Sequence, residues 1–227
     1  MIFLKYIFIF SALYFPASGK IAAQKFPVYH SDSIRLLVNN LGGKSQYSNL
    51  LLRLQGNDTT LALADYFLIY HGLPFQENYN PYASHQKLMD SFNEQSYPNS
   101  VAEADRLLEE NPANLDALYF GFLSCKQMHK FAVAEKYATR YWLFLESIMA
   151  SGDGKTEKTA FHVNTVGDEF QVLNYLKLKK EKQELVQKKN GKIFDRFEVK
   201  PSDNYKERKI YFDISFAFSK LSQAIAK

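Results

Sequence analysis

The apolar residues of this chain change their period at a single place. From Ser31 to Ala150 they recur at spacings of three and four, punctuated by turn residues; after the segment SGDGKT, residues 151–156, they alternate. The first period belongs to helices that bury one stripe and the second to strands that bury one face. The pattern therefore predicts an α+β fold: a mainly α-helical, repeat-like N-terminal part, then a small antiparallel β-sheet with a covering helix. Helices are expected over 33–41, 46–55, 61–70, 84–94, 101–110, 114–128 and 131–150. Asn111-Pro112 ends the fifth, and Asn114 supplies a side-chain oxygen to cap the sixth. Beyond the boundary, TAFHVNTV, KIFDRFEVK and RKIYFDISFAF read as three strands. DEFQVLNYLKL reads as a short helix capped by Asp168, and Ile210, Phe212, Ile214, Phe216 and Phe218 would share one face of the last strand.

SGDGKT itself invites a chemical reading, since Gly-Lys-Thr ends a phosphate-binding loop. Such a loop needs an earlier glycine where this chain has Met149, and it must join a strand to a following helix so that backbone N–H groups face the anion. Here a helix precedes and a strand follows. A calcium loop needs oxygen ligands at alternate positions, and Asp153 has none before Glu157. The segment reads as a helix stop and turn, which divides the chain into a leader (1–23), a helical region (24–150), a linker loop (151–158) and a small α+β domain (159–227). No nucleotide and no cofactor are expected.

The leader is read from Lys5, the apolar run from Tyr6 to Phe15, the break at Pro16 and the small residues after it. That is the layout of a cleavable export signal, cut after Ala23 by first preference and after Gly19 by second. The run is too short for a membrane-spanning helix. No cysteine lies nearby, so a lipoprotein is not expected; the mature chain should be periplasmic or secreted, with no transmembrane segment. The one cysteine, Cys125, cannot form an internal disulfide. Its apolar helical setting reads as a packed thiol.

The charge of +4 falls to +2 without Lys5 and Lys20. It is unevenly spread: residues 177–227 hold 14 Lys and Arg against 7 acids, whereas 24–176 hold 12 against 17. A basic C-terminal part reads as a solvated lysine-rich face or as a surface for acidic glycans or lipid. An exported protein leaves no role for nucleic acid.

The stretch AEADRLLEENPANLDALYFGFLSCKQMHKFAVAEKYATRYW resembles a tetratricopeptide repeat, with Pro112 at the inter-repeat turn, Leu118 early in the first helix, and Phe131 and Ala134 where the second packs back. Gly121 stands one place early, and Tyr141 stands where a small residue is usual. In that register Asp116, Tyr119, Leu123, Lys126 and Gln127 face a concave groove, open to a peptide or envelope-protein partner or filled by the C-terminal part of the chain itself. Leu118 and Phe122 point into the stack.

Two further constellations bear on function. YFLIYHGLPFQENYNPY is dense in aromatics, and Phe75, Tyr79 and Tyr82 would suit stacking on a glycan if exposed, or would plug the helical stack. His162, Asp168 and Glu169 are candidates for a hydrolase, although no Ser or Cys is placed beside them. His71 and His85 lack a partner at metal-ligand spacing, so neither catalytic nor metal residues are assigned.

The order of these pieces, with DYFLIYHGLPFQENYNPY, GDGKTEKTAFHV, DEFQVL and KIYFDIS, resembles a family of exported proteins of Gram-negative bacteria, domain-of-unknown-function family 4919. The resemblance runs over most of the mature chain. It implies export, the two-part layout and a hinge at SGDGKT, and it carries over no catalytic residue. The function expected is a non-enzymatic protein-interaction module, with a glycan-binding module or a hydrolase as alternatives.

Overall fold

The computed structural model describes residues 29–77 and 79–219; the leader and its cleavage site lie outside them. Among the described residues, helices α1 (Ser31–Val38), α2 (Tyr47–Gln55), α3 (Leu63–Gly72), α4 (Gln86–Asn93), α5 (Tyr97–Glu110), α6 (Leu115–Gln127) and α7 (Phe131–Met149) come first. Strand β1 (Phe161–His162), helix α8 (Val166–Tyr175) and strands β2 (Lys179–Gln187), β3 (Ile193–Lys200) and β4 (Lys209–Asp213) follow. The fold is α+β. No helix of the described residues is long and apolar enough to cross a membrane.

The expected helices are present with shifted ends. α5 starts at Tyr97, four residues before the expected start at 101, because Pro98 sits in its first turn, where a missing N–H costs no helical hydrogen bond. Asn114 caps α6 by accepting from the Ala117 amide. α4, α5, α6 and α7 pack successively on one another, and α3 closes against α7. At the α6–α7 crossing a Cβ on Gly121 would lie 2.6 Å from the Tyr137 ring, so this glycine sets how closely the two helices approach.

The sheet corrects the expected three antiparallel strands. It has four strands in the order β1-β4-β3-β2, and β1 runs parallel to β4 with Phe161 opposite Phe212. β2 escapes a pattern search because it is an edge strand, exposed along nearly its whole length and reading KKEKQELVQ. A strand without a buried face shows no alternation. Its lysines and a register shift between Lys180 and Lys182 blunt the open edge.

Two local readings also change. The last strand ends at Asp213, whose carboxylate accepts from the Ser215 amide at 3.0 Å, and residues 215–219 form a helical turn. Phe216 and Phe218 therefore leave the sheet, and Phe216 meets Phe75 edge-on at 5.1 Å. The cap of α8 is Thr165 rather than Asp168: Thr165 accepts from the Asp168 amide while the Asp168 carboxylate accepts from the Thr165 amide, a reciprocal capping box.

A single buried cluster runs from Leu50, Ile69 and Tyr70 through Leu118 and Phe144 to Phe161, Phe197, Phe212 and Ile214, so helices and sheet share one core. SGDGKT is tied into it. The Asp153 and Gly154 amides both donate to the Thr159 carbonyl, and the Gly154 carbonyl accepts from the Tyr211 amide and the Tyr205 hydroxyl. Gly154 has a φ of +68°, and a Cβ there would press on Phe161 at 2.5 Å, which requires glycine.

Candidate functional site

Two places are candidates for a functional site: a buried acid cluster beneath the start of α8, and an open groove on the outer side of α7.

The cluster begins with the capping box. Asp168 is the third residue of α8, so its side chain folds back over the helix start and meets α3. There Tyr70, fully buried, donates to Asp168 Oδ2 at 2.6 Å. The Asn164 amide donates to the Tyr70 hydroxyl and the Asn164 side chain to the Tyr70 carbonyl. Tyr79 donates to the Asn164 carbonyl at 2.6 Å. Burial pushes the Asp168 carboxyl up to about 7, against the pull of the Tyr70 and Thr165 hydrogen bonds.

Glu169, the next residue, turns toward the sheet. It is completely buried, and neither of its oxygens receives a hydrogen bond from an N–H or hydroxyl group. Its neighbour is Asp195 of β3, which accepts from Gln183 of β2 at 2.8 Å. An ionised Glu169 without donors would be untenable there. The arrangement closes if Glu169 keeps its proton and donates it to Asp195, and burial together with that carboxylate raises Glu169 well above the usual range. Lys180 pulls weakly the other way; its ammonium lies 5.0 Å over the Phe170 ring and 5.5 Å over Phe197.

Gln171, one turn after Gly167 on the same helix, ties α8 to α6 and α7. It donates to Asp116 at 2.7 Å and accepts from Tyr141 at 2.8 Å. His85 approaches the other Asp116 oxygen at 3.4 Å. A Cβ on Gly167 would lie 2.9 Å from Asp116, so α8 fits closely there.

These contacts locate the residues expected on the concave face. Asp116 is engaged by Gln171 and His85. Tyr119 is partly buried, with the Phe120 and Tyr141 rings at 5.5 and 5.8 Å. Farther along α6, Leu123 is partly buried, Lys126 lies 6.0 Å over Phe122 and Gln127 is exposed. α8 thus occupies the Asp116 end of that face.

The candidate catalytic trio is not brought together. Asp168 and Glu169 are sealed, whereas His162 stacks on Tyr29 at 3.6 Å and faces Asp213 at 3.6 Å. Burial pushes His162 down to about 4 and His71, whose ring nitrogen meets the Ser147 carbonyl, down to about 3. No group of three metal-ligating side chains converges among the described residues. Nor do the aromatics form a shelf: Tyr79 is buried, and the Tyr82 hydroxyl donates to the Ala217 carbonyl. In SGDGKT, the two amides that would face an anion are spent on Thr159.

The groove has a volume of about 330 Å³ and is lined by Leu63, Trp142, Leu145, Glu146, Met149, Ala150 and Tyr175. Its logic is helical: Trp142, Leu145, Glu146 and Met149 follow the i, i+3, i+4, i+7 stripe of α7, and Tyr175 reaches it from the last position of α8. The Trp142 and Tyr175 rings meet at 6.0 Å and 62°, forming an aromatic corner. Leu145 is buried as the floor, while Glu146 and Tyr175 are exposed at the rim. In the sequence this stripe has the spacing of a core-facing one, so nothing sets it apart.

A family model described as a domain of unknown function, DUF4919, matches residues 32–223. The chain belongs to this family. The DUF4919 match spans every helix and strand given above except the first residue of α1, and so includes both the sealed cluster and the groove. No curated protein and no solved structure matches the chain.

Proposed function

We propose that this DUF4919 protein is an exported, non-enzymatic interaction module that docks a segment of a partner envelope protein or peptide in the Trp142 groove. The observation that carries the reading is the contrast in access. The titratable groups with the strongest shifts lie in the sealed interior, where a substrate has no path, whereas the aromatic corner is open, apolar and concave, the character of a recognition site. Docking is placed here rather than on the α6 face because α8 already engages Asp116 there. The successive packing of α5, α6 and α7 supports a repeat-like scaffold beneath the groove. Export rests on the leader pattern of residues 1–23.

Two measurements test the proposal. Intact mass of the protein recovered from the cell envelope should correspond to a chain beginning at or near Gln24; a full-length cytosolic species opposes export. Peptides selected for binding from a random display library should shield Trp142 from acrylamide quenching and lose binding to Trp142→Ala. Binders indifferent to that substitution would move the docking site elsewhere.

A further inference from the structure

We infer that the Trp142 groove recognises an organic cation on an apolar stem, namely a lysine or arginine side chain presented by the docked segment, with Glu146 as its counter-ion. This rests on the docking role proposed above and adds the chemical class of the occupant.

Glu146 is the charged residue of the groove lining. Its carboxylate takes part in no ion pair or side-chain hydrogen bond among the described residues, although many charges of this chain have found partners, such as Arg53 with Asp58, Arg106 with Glu110 and Lys188 with Glu157. It stands one helical turn after Trp142 and three residues before Met149, within a lining that is otherwise aliphatic and aromatic. That lining desolvates the carboxyl and pushes it upward. A carboxylate in this position favours an occupant that returns positive charge.

The remaining walls suit the same occupant. A cation gains from the faces of Trp and Tyr rings, and most from Trp; here the two rings stand at a steep angle at one end of the groove. The methylene stem of Lys or Arg packs along apolar surface while its charged end stays at the rim, which matches a floor of Leu145 and Met149 below an exposed Glu146. The volume lies at the lower end of the range of about 300–1,000 Å³ found for small-ligand sites, which suits one or two side chains. A neutral apolar side chain would fill the same space but desolvate Glu146 further without compensation. An acidic one would add like-charge repulsion.

Trp142 is the only tryptophan of the chain, so its emission reports on the groove without a label. The probes are three blocked pentapeptides of one apolar sequence with lysine, norleucine or glutamate at the centre, titrated into the protein recovered from the cell envelope. The lysine peptide should shift and saturate Trp142 emission with an affinity at least fivefold tighter than the norleucine peptide, and the glutamate peptide should leave the emission unchanged. In Glu146→Gln the lysine peptide should weaken at least tenfold, while the norleucine peptide binds as well or better and the melting temperature stays constant. Norleucine binding as tightly as lysine to the unaltered protein would overturn the cation inference and leave the docking role standing. If none of the three perturbs Trp142 up to millimolar concentration, the cation inference fails, and the Trp142-dependence of display-selected peptides then decides the docking role separately.

Discussion

Tyr141 and Trp142 are neighbours on α7, yet they serve opposite regions. Tyr141 points inward and donates to Gln171, joining the polar network that clamps α8. Trp142 points outward and lines a groove that α8 only brushes with its last residue. Likewise α8 buries Asp168 and Glu169 in its first turn and exposes Tyr175 at its end. What separates the two regions is thus access rather than residue type. The interior has the more strongly shifted groups but is buried, whereas the groove has ordinary residues and, among the described residues, a carboxylate without an ion pair.

Substitutions that attack each region should separate them. The largest effect is expected from Asp168→Ala, which strips the acceptor from Tyr70 and from the Thr165 amide; unfolding in urea should show a loss of about 2–4 kcal/mol. A loss below about 0.5 kcal/mol would mean that water replaces the carboxylate and that the cluster is not sealed. Trp142→Ala should cost less, about 1–2 kcal/mol for a partly buried ring, and should abolish peptide binding measured by calorimetry. Unfolding as severe as in Asp168→Ala would blur the distinction between the two regions.

Smaller is the pH dependence. Glu169 and Asp168 have raised folded-state values, so the folded protein binds their protons more tightly than the unfolded chain does. Their contribution to stability is complete below the unfolded values near 4 and is lost as the pH rises through the folded ones. His71 and His162, held neutral, act oppositely: their contribution is present above about 6.5 and is lost on acidification through the values of about 3 and 4. Comparing wild type with Glu169→Gln isolates one of these groups, because the amide can still donate to Asp195 but cannot ionise. The variant should gain on the wild type steadily as the pH rises from 5.5 to 8.5. A difference independent of pH would show that Glu169 does not hold its proton. Smallest is Lys155→Ala: the Lys155 ammonium is exposed and lies 3.8 Å from Glu207, so stability should change by less than about 0.5 kcal/mol. Adding ATP and magnesium should not alter the melting temperature of either form.

The helices were legible because each buries a stripe, and a stripe leaves a three-and-four spacing in the sequence. β2 was not, since an exposed edge strand imposes no periodicity on KKEKQELVQ. The helical turn at 215–219 was missed for a related reason: Ile214, Phe216 and Phe218 alternate as in a strand, and only the Asp213–Ser215 turn redirects them. Asp168 stands out in the sequence both as a cap and as a hydrolase candidate; order alone does not distinguish it from Thr165 as the cap, because the two bond reciprocally. The seating of Gln171 on Asp116 joins residues 55 positions apart and leaves no local trace. The groove stayed hidden because a stripe of Trp, Leu and Met on a long helix looks the same whether a neighbour covers it or solvent does.

The hydrogen bond between Tyr70 and Asp168 spans 98 residues, and β1 waits for β4 before it has a neighbour in the sheet. Without α8 its seat on α3, α6 and α7 stands uncovered, and without β4 Phe161 loses the strand it pairs with. The helical half taken alone therefore leaves core surface open, because residues that follow it in the chain complete that core. A chain truncated before residue 209 lacks β4, which leaves Phe161 and Phe197 without Phe212, and it should aggregate rather than yield a stable helical fragment.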